Sequence, residues 1–67
     1  MIRIAIIGFG YWGPNLVRNF STLDGCQVAT IVDTSEARLR LASKAYPHIT
    51  TTRSLDTVLQ DSRIDGV

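Results

Sequence analysis

The chain is poor in the residues that staple small proteins together or hold metals. It has one cysteine, Cys26, among 67 residues, which allows neither an intrachain disulfide nor a CxxC metal knuckle. Its one histidine, His48, cannot complete a zinc site with a single thiolate. Seven basic and six acidic residues are spread evenly for a net charge of +1. Without a basic block or an aromatic-basic patch, no nucleic-acid face is expected. No apolar run nears the ~20 residues of a membrane span. The run at 4–7 is too short for a signal-peptide core and has only Arg3 before it. These absences predict a cytoplasmic protein with Cys26 reduced and with neither membrane nor nucleic acid as partner. Cys26 reads as filler of a small core gap, His48 as an exposed loop residue, and Arg3 as a strand end near solvent.

What is present is an alternation of elements. Residues 2–7 are rich in β-branched side chains, with Ile2, Ile4 and Ile6 on one face and Ala5 and Ile7 on the other. That pattern suits a strand covered on both sides, as in a parallel sheet. Three glycines stop it, and Pro14 fits a first helical turn. Leu16, Val17, Phe20 and Leu23 then recur at helical spacing, with Gly25 suited to a left-handed exit. Residues 26–33 read as a second strand. Thr34 or Ser35 caps a helix over about 35–46, with Ala37, Leu41, Ala42 and Ala45 expected on one stripe. A weak third strand is expected over 49–52, and Ser54 caps a short helix carrying Leu55, Val58 and Leu59. Residues 64–67 resemble the opening of a fourth strand.

Strand-helix alternation argues for an α/β layer with parallel strands and right-handed crossovers. A chain of 67 residues bounds it to one domain at most, and domains commonly run to about 100–150 residues. The expected fold is therefore α/β, the leading half of a doubly wound Rossmann sheet. On this reading residues 1–67 are part of a dinucleotide-binding domain, ending inside the fourth strand.

The glycines at 8, 10 and 13 form G-x-G-x-x-G between a strand and a helix, the context that gives the string meaning. Gly8 allows the sharp turn, Gly10 lets main chain approach a pyrophosphate, and Gly13 lets the helix pack close to the strand. Amides at a helix start lack intrahelical partners and carry partial positive charge, so a diphosphate can accept from them. Those of Tyr11 and Trp12 are best placed, and Pro14 offers none. A Walker A loop is excluded, because Pro14-Asn15 stands where Lys-Ser/Thr must be.

Asp33 closes the second strand, twenty residues after Gly13 (33 − 13). In a dinucleotide fold a carboxylate there accepts from the adenosine ribose 2′-hydroxyl. Its charge disfavours a 2′-phosphate, which points to NAD, with NADP possible because Arg38 or Arg40 can neutralise that phosphate. Arg38 is the nearer candidate for a cofactor contact. The rings of Tyr11 and Trp12 either line the nicotinamide side of the cleft or pack against a later part of the protein.

The strings IAIIGFGYWGPNLVRNF, VDTSEARL and YPHITTTRSLDTVLQDSRIDGV are similar to the N-terminus of the Gfo/Idh/MocA oxidoreductases, over essentially the whole chain. The resemblance implies an NAD(P)-dependent dehydrogenase acting on a sugar-like substrate. It implies a second domain, absent from this chain, that shapes the substrate site and often the oligomer interface, so a homo-oligomer is expected of the full-length protein. Gly8, Gly10 and Gly13 match the family's pyrophosphate turn, and Asp33 its ribose-binding acid. The family's catalytic lysine and its Asp/His pair have no counterpart here, since Lys44 lies in a Ser-Lys-Ala helical context. No catalytic residue is assigned, and the 67-residue piece alone is expected to be inactive. The alternatives are a non-catalytic Rossmann module sensing NAD(H) or another nucleotide, and an S-adenosylmethionine methyltransferase. The latter is disfavoured because Ile6-Ile7 stand where such enzymes carry an acid before the first glycine.

Overall fold

The computed structural model describes residues 1–67. Strand β1 covers Ile2–Ile7, helix α1 Gly13–Ser21, strand β2 Cys26–Val32, helix α2 Glu36–Ala45, strand β3 Thr50–Thr52 and helix α3 Leu55–Leu59. The three strands are parallel and ordered β1-β2-β3 across the sheet. On the free side of β1, Gly66 forms a parallel bridge with Ile4. Ala5 N–H donates to Gly66 O at 2.9 Å, and Asp65 N–H to Arg3 O at 2.7 Å. The expected fourth strand is therefore one bridge long, and its position completes the 3-2-1-4 order of a Rossmann half.

Helices cover both faces. On one face, Ile6 of β1 and Val28 and Ile31 of β2 pack with Val17 of α1, Leu39 and Ala42 of α2, Phe9 and Ile49. On the other, Ala5 and Val32 pack with Val58 of α3, and Ile64 lies against them. Val28 and Ile31 are three residues apart yet share a face, which a strict two-residue alternation forbids. The register explains this. Val28 pairs with Ile4 and Thr30 with Ala5, so Ala29 is an extra residue in β2 and side-chain parity flips there.

The termini of the elements follow from local chemistry. Gly25 takes a left-handed φ of +78° after α1. Ser35 caps α2 by accepting from Arg38 N–H at 3.3 Å, and Ser54 caps α3 by accepting from Thr57 N–H at 3.2 Å. Two expectations need correction. The buried stripe of α2 is Leu39 and Ala42, continued by half-buried Tyr46, whereas Ala37, Leu41 and Ala45 face solvent. The helix is rotated so that Leu39 joins Ala42 over β2, in place of Ala37, Leu41 and Ala45. Within α1 only Val17 of the anticipated apolar set is buried; Phe20 is half-buried and Leu16 exposed.

Arg3 is half-buried, with one guanidinium nitrogen donating to Gln27 Oε1 at 3.0 Å and its Nε buried without a partner. His48 is exposed and Cys26 half-buried. No helix is long and apolar enough to cross a membrane.

Candidate functional site

β1 ends at Ile7 and the chain reverses at Gly8, whose φ of +93° suits glycine and strains other residues. Gly8 N–H continues the ladder to Val32 O at 2.6 Å, so the turn stays tied to the end of β2. The ring of Phe9 is buried in the main core and pins the next residue. α1 then starts hard against the turn. A Cβ on Gly13 would lie 2.5 Å from Gly8 O and 3.2 Å from Gly8 C, closer than packed atoms allow. Only glycine permits this approach of helix to strand.

The start of α1 is rich in unpaired donors. Trp12 is the N-cap residue, and no side chain caps the helix. The N–H groups of Gly10, Tyr11, Trp12 and Gly13 donate to no carbonyl or side chain of the protein. Elsewhere such amides are met by a Ser, Thr, Asp or Asn cap. Here they form a concentrated positive end with nothing acidic in the first turn, which is the chemistry of an anion site. The residues present thus fit a dinucleotide diphosphate. Tyr11 and Trp12 are exposed and meet edge to face, with ring centroids 5.4 Å apart.

Asp33 follows β2 directly and is 7% exposed. Its Oδ2 accepts from Phe9 N–H at 2.8 Å, and its Oδ1 from Ser35 N–H at 2.9 Å. The Phe9 amide is the main influence holding the carboxyl below the usual carboxylate range. The Ser35 amide comes next, burial opposes it, and the positive charge of Arg38 and the Thr34 amide add to it. Arg38 Nη1 stands 3.9 Å from Asp33 Oδ2, with its side chain 57% exposed. The same guanidinium lies over Gly10, 3.5 Å from where a Cβ would be.

The structure thus gathers Gly8, Gly10, Tyr11, Trp12, Gly13, Asp33 and Arg38 at the carboxyl ends of β1 and β2. Arg40 is not among them: it lines a separate groove of about 670 Å³ with Glu36, Ser43 and Arg53. The partners of Asp33 were not anticipated from sequence. A carboxylate at the end of one strand and an amide in a turn 24 residues earlier leave no joint mark on either segment. No cluster of three or more His, Cys, Asp or Glu side chains suited to a metal is present.

Residues 2–67 match the family model for the Gfo/Idh/MocA proteins, described as an oxidoreductase family with an NAD-binding Rossmann fold. The chain belongs to this family. Nothing among curated protein sequences matches it. Among solved structures it is similar to a candidate NADPH-dependent oxidoreductase from Desulfitobacterium hafniense, with a TM-score of 0.84 and 15% identity. The match covers 98% of this chain and 19% of that one, and at this identity it shows the shared fold. The Gfo/Idh/MocA assignment accounts for the glycine turn, the parallel sheet and the acid after β2, and the family is an NAD-binding one.

Proposed function

We propose that this chain supplies the pyrophosphate- and ribose-binding half of the cofactor site in an NAD(P)-dependent dehydrogenase acting on a sugar-like alcohol. The observation that carries the cofactor part is the set of unpaired amides from Gly10 to Gly13 at an uncapped helix start. The sugar-like substrate rests on the family resemblance alone, as do the second domain and the homo-oligomer. NAD(P) supplies a hydride acceptor or donor when bound. The residues of this chain bind and orient. The amides at the start of α1 receive the diphosphate, Gly10 keeps the approach free of a side chain, and Asp33 and Arg38 stand at the adenosine end. The description of the Desulfitobacterium neighbour as a candidate NADPH-dependent oxidoreductase supports keeping NADP beside NAD.

The test uses Trp12, the only tryptophan in the sequence and the N-cap residue of α1. Titrating NADH or NADPH into the full-length protein should quench tryptophan emission saturably, and Trp12→Phe should remove the part of the quench that Trp12 carries. If neither nucleotide changes the emission and calorimetry also finds no heat of binding, the reading fails.

A further inference from the structure

Asp33 faces inward. Both of its oxygens are occupied by main-chain N–H groups, and one of those belongs to the glycine turn itself. Phe9 is 7% exposed, so its N–H cannot turn to water, and an unpaired buried amide is costly. The carboxylate therefore completes a closed set of ties around the turn: Gly8 N–H to Val32 O, Phe9 N–H to Asp33 Oδ2, and Ser35 N–H to Asp33 Oδ1. Residues 8 and 9 are held on the same strand end that presents Asp33, and the free amides start at the next residue, Gly10.

We infer that Asp33 is a positioning residue for the diphosphate, setting the glycine turn through the Phe9 amide, beyond any contact with the ribose. This inference rests on the dinucleotide reading above and adds a role to it. Arg38 makes the arrangement tolerable. A carboxylate beside an anion site repels the anion, and the guanidinium 3.9 Å from Oδ2, lying over Gly10, offsets that charge where a phosphate would approach. Conversely, a carboxylate with both oxygens already accepting has less capacity left for a sugar hydroxyl.

Two ligands and two variants separate the roles. NADH and its 2′-deoxyadenosine analogue are titrated into the full-length protein and into Asp33→Ala and Asp33→Asn, all well below their melting temperatures. If Asp33 sets the turn, Asp33→Ala weakens both ligands by the same factor, about tenfold. Asp33→Asn should lose less for both, because its amide oxygen can still accept from Phe9 N–H. This graded rescue, equal for the two ligands, is not expected from a general loss of packing. If Asp33 acts only by gripping the ribose, the deoxy analogue binds all three proteins alike, and the inference is overturned. It is also overturned if neither variant weakens either ligand. Should Asp33→Ala fail to fold, the comparison of the two ligands on Asp33→Asn decides in the same way. Failure of the unaltered protein to bind NADH would instead overturn the dinucleotide reading itself.

Discussion

The three glycines have separable duties, and alanine at two of them should split stability from binding. At Gly13 the added methyl would sit 2.5 Å from Gly8 O. It must retreat by about 0.5 Å even to reach the closest separation packed atoms tolerate, and more for comfortable contact. Gly8 cannot yield, because its φ of +93° and its 2.6 Å bond to Val32 O fix it to the sheet. The strain falls on the start of α1. Overpacking of this kind costs about 1–3 kcal/mol, whereas alanine in place of helical glycine returns only about 0.5–1 kcal/mol. The net is a loss of up to about 2.5 kcal/mol, and each kcal/mol lowers the melting midpoint of a unit this size by about 4–8 °C. At Gly10 the situation reverses. The φ is not left-handed, and the methyl meets only the exposed guanidinium of Arg38 at 3.5 Å. Gly10→Ala should melt at the temperature of the parent protein, yet bind NADH about tenfold or more weakly, because the methyl occupies the approach of the diphosphate. Thermal unfolding followed by circular dichroism and calorimetric titration of NADH read the two effects. A Gly13→Ala protein melting at or above the parent, or a Gly10→Ala protein binding NADH as the parent does, would refute the reasoning.

Ile31 is fully buried between the sheet and its helices, and Ile31→Ala should cost about 2–5 kcal/mol in denaturant unfolding. Ser35→Ala removes the oxygen that accepts Arg38 N–H but keeps the main-chain donation to Asp33; a loss of about 1 kcal/mol is expected, seen in the same assay. Because the carboxyl of Asp33 titrates below the ordinary 3.8 in the folded state, its contribution to stability is present above that value. It is lost as pH falls through the lower folded value. Asp33→Asn should therefore be less stable than the parent at neutral pH, with the gap closing below about pH 3.8 in acid-unfolding curves; a gap independent of pH would show that the charge is not involved.

Much of the frame was legible because it depends on chemistry that is local in the chain. The glycine spacing, Pro14 in the first turn of α1, Gly25 after it and the caps at Ser35 and Ser54 each act within a few residues of themselves. The structure puts all of them where the sequence placed them and, of the two caps the sequence offered for α2, Thr34 and Ser35, uses Ser35. The β1 boundaries were readable for the same reason: an apolar run ending in glycines leaves little choice. The stripe of α2 was misread because Ala37, Leu41, Ala42 and Ala45 are spaced as well as Leu39, Ala42 and Tyr46. Only the depth of the space over β2 decides which stripe turns inward.

The extra residue at Ala29 shows the deeper limit. Read alone, residues 26–32 have no alternation and look like any strand buried on both sides. The bulge exists because Ile4 and Ala5 of another strand pair with Val28 and Thr30, and it sends Ile31 to the face of Val28. The same kind of non-local choice governs Asp33. Its place after β2 identifies a carboxylate near the cofactor, but whether that carboxylate turns to a ligand or to the chain depends on Phe9. Once the Phe9 ring is buried, its amide is buried with it and must be paired. The nearest acceptor at the end of β2 is Asp33. A core aromatic in the middle of the glycine motif therefore recruits the acid as part of the turn.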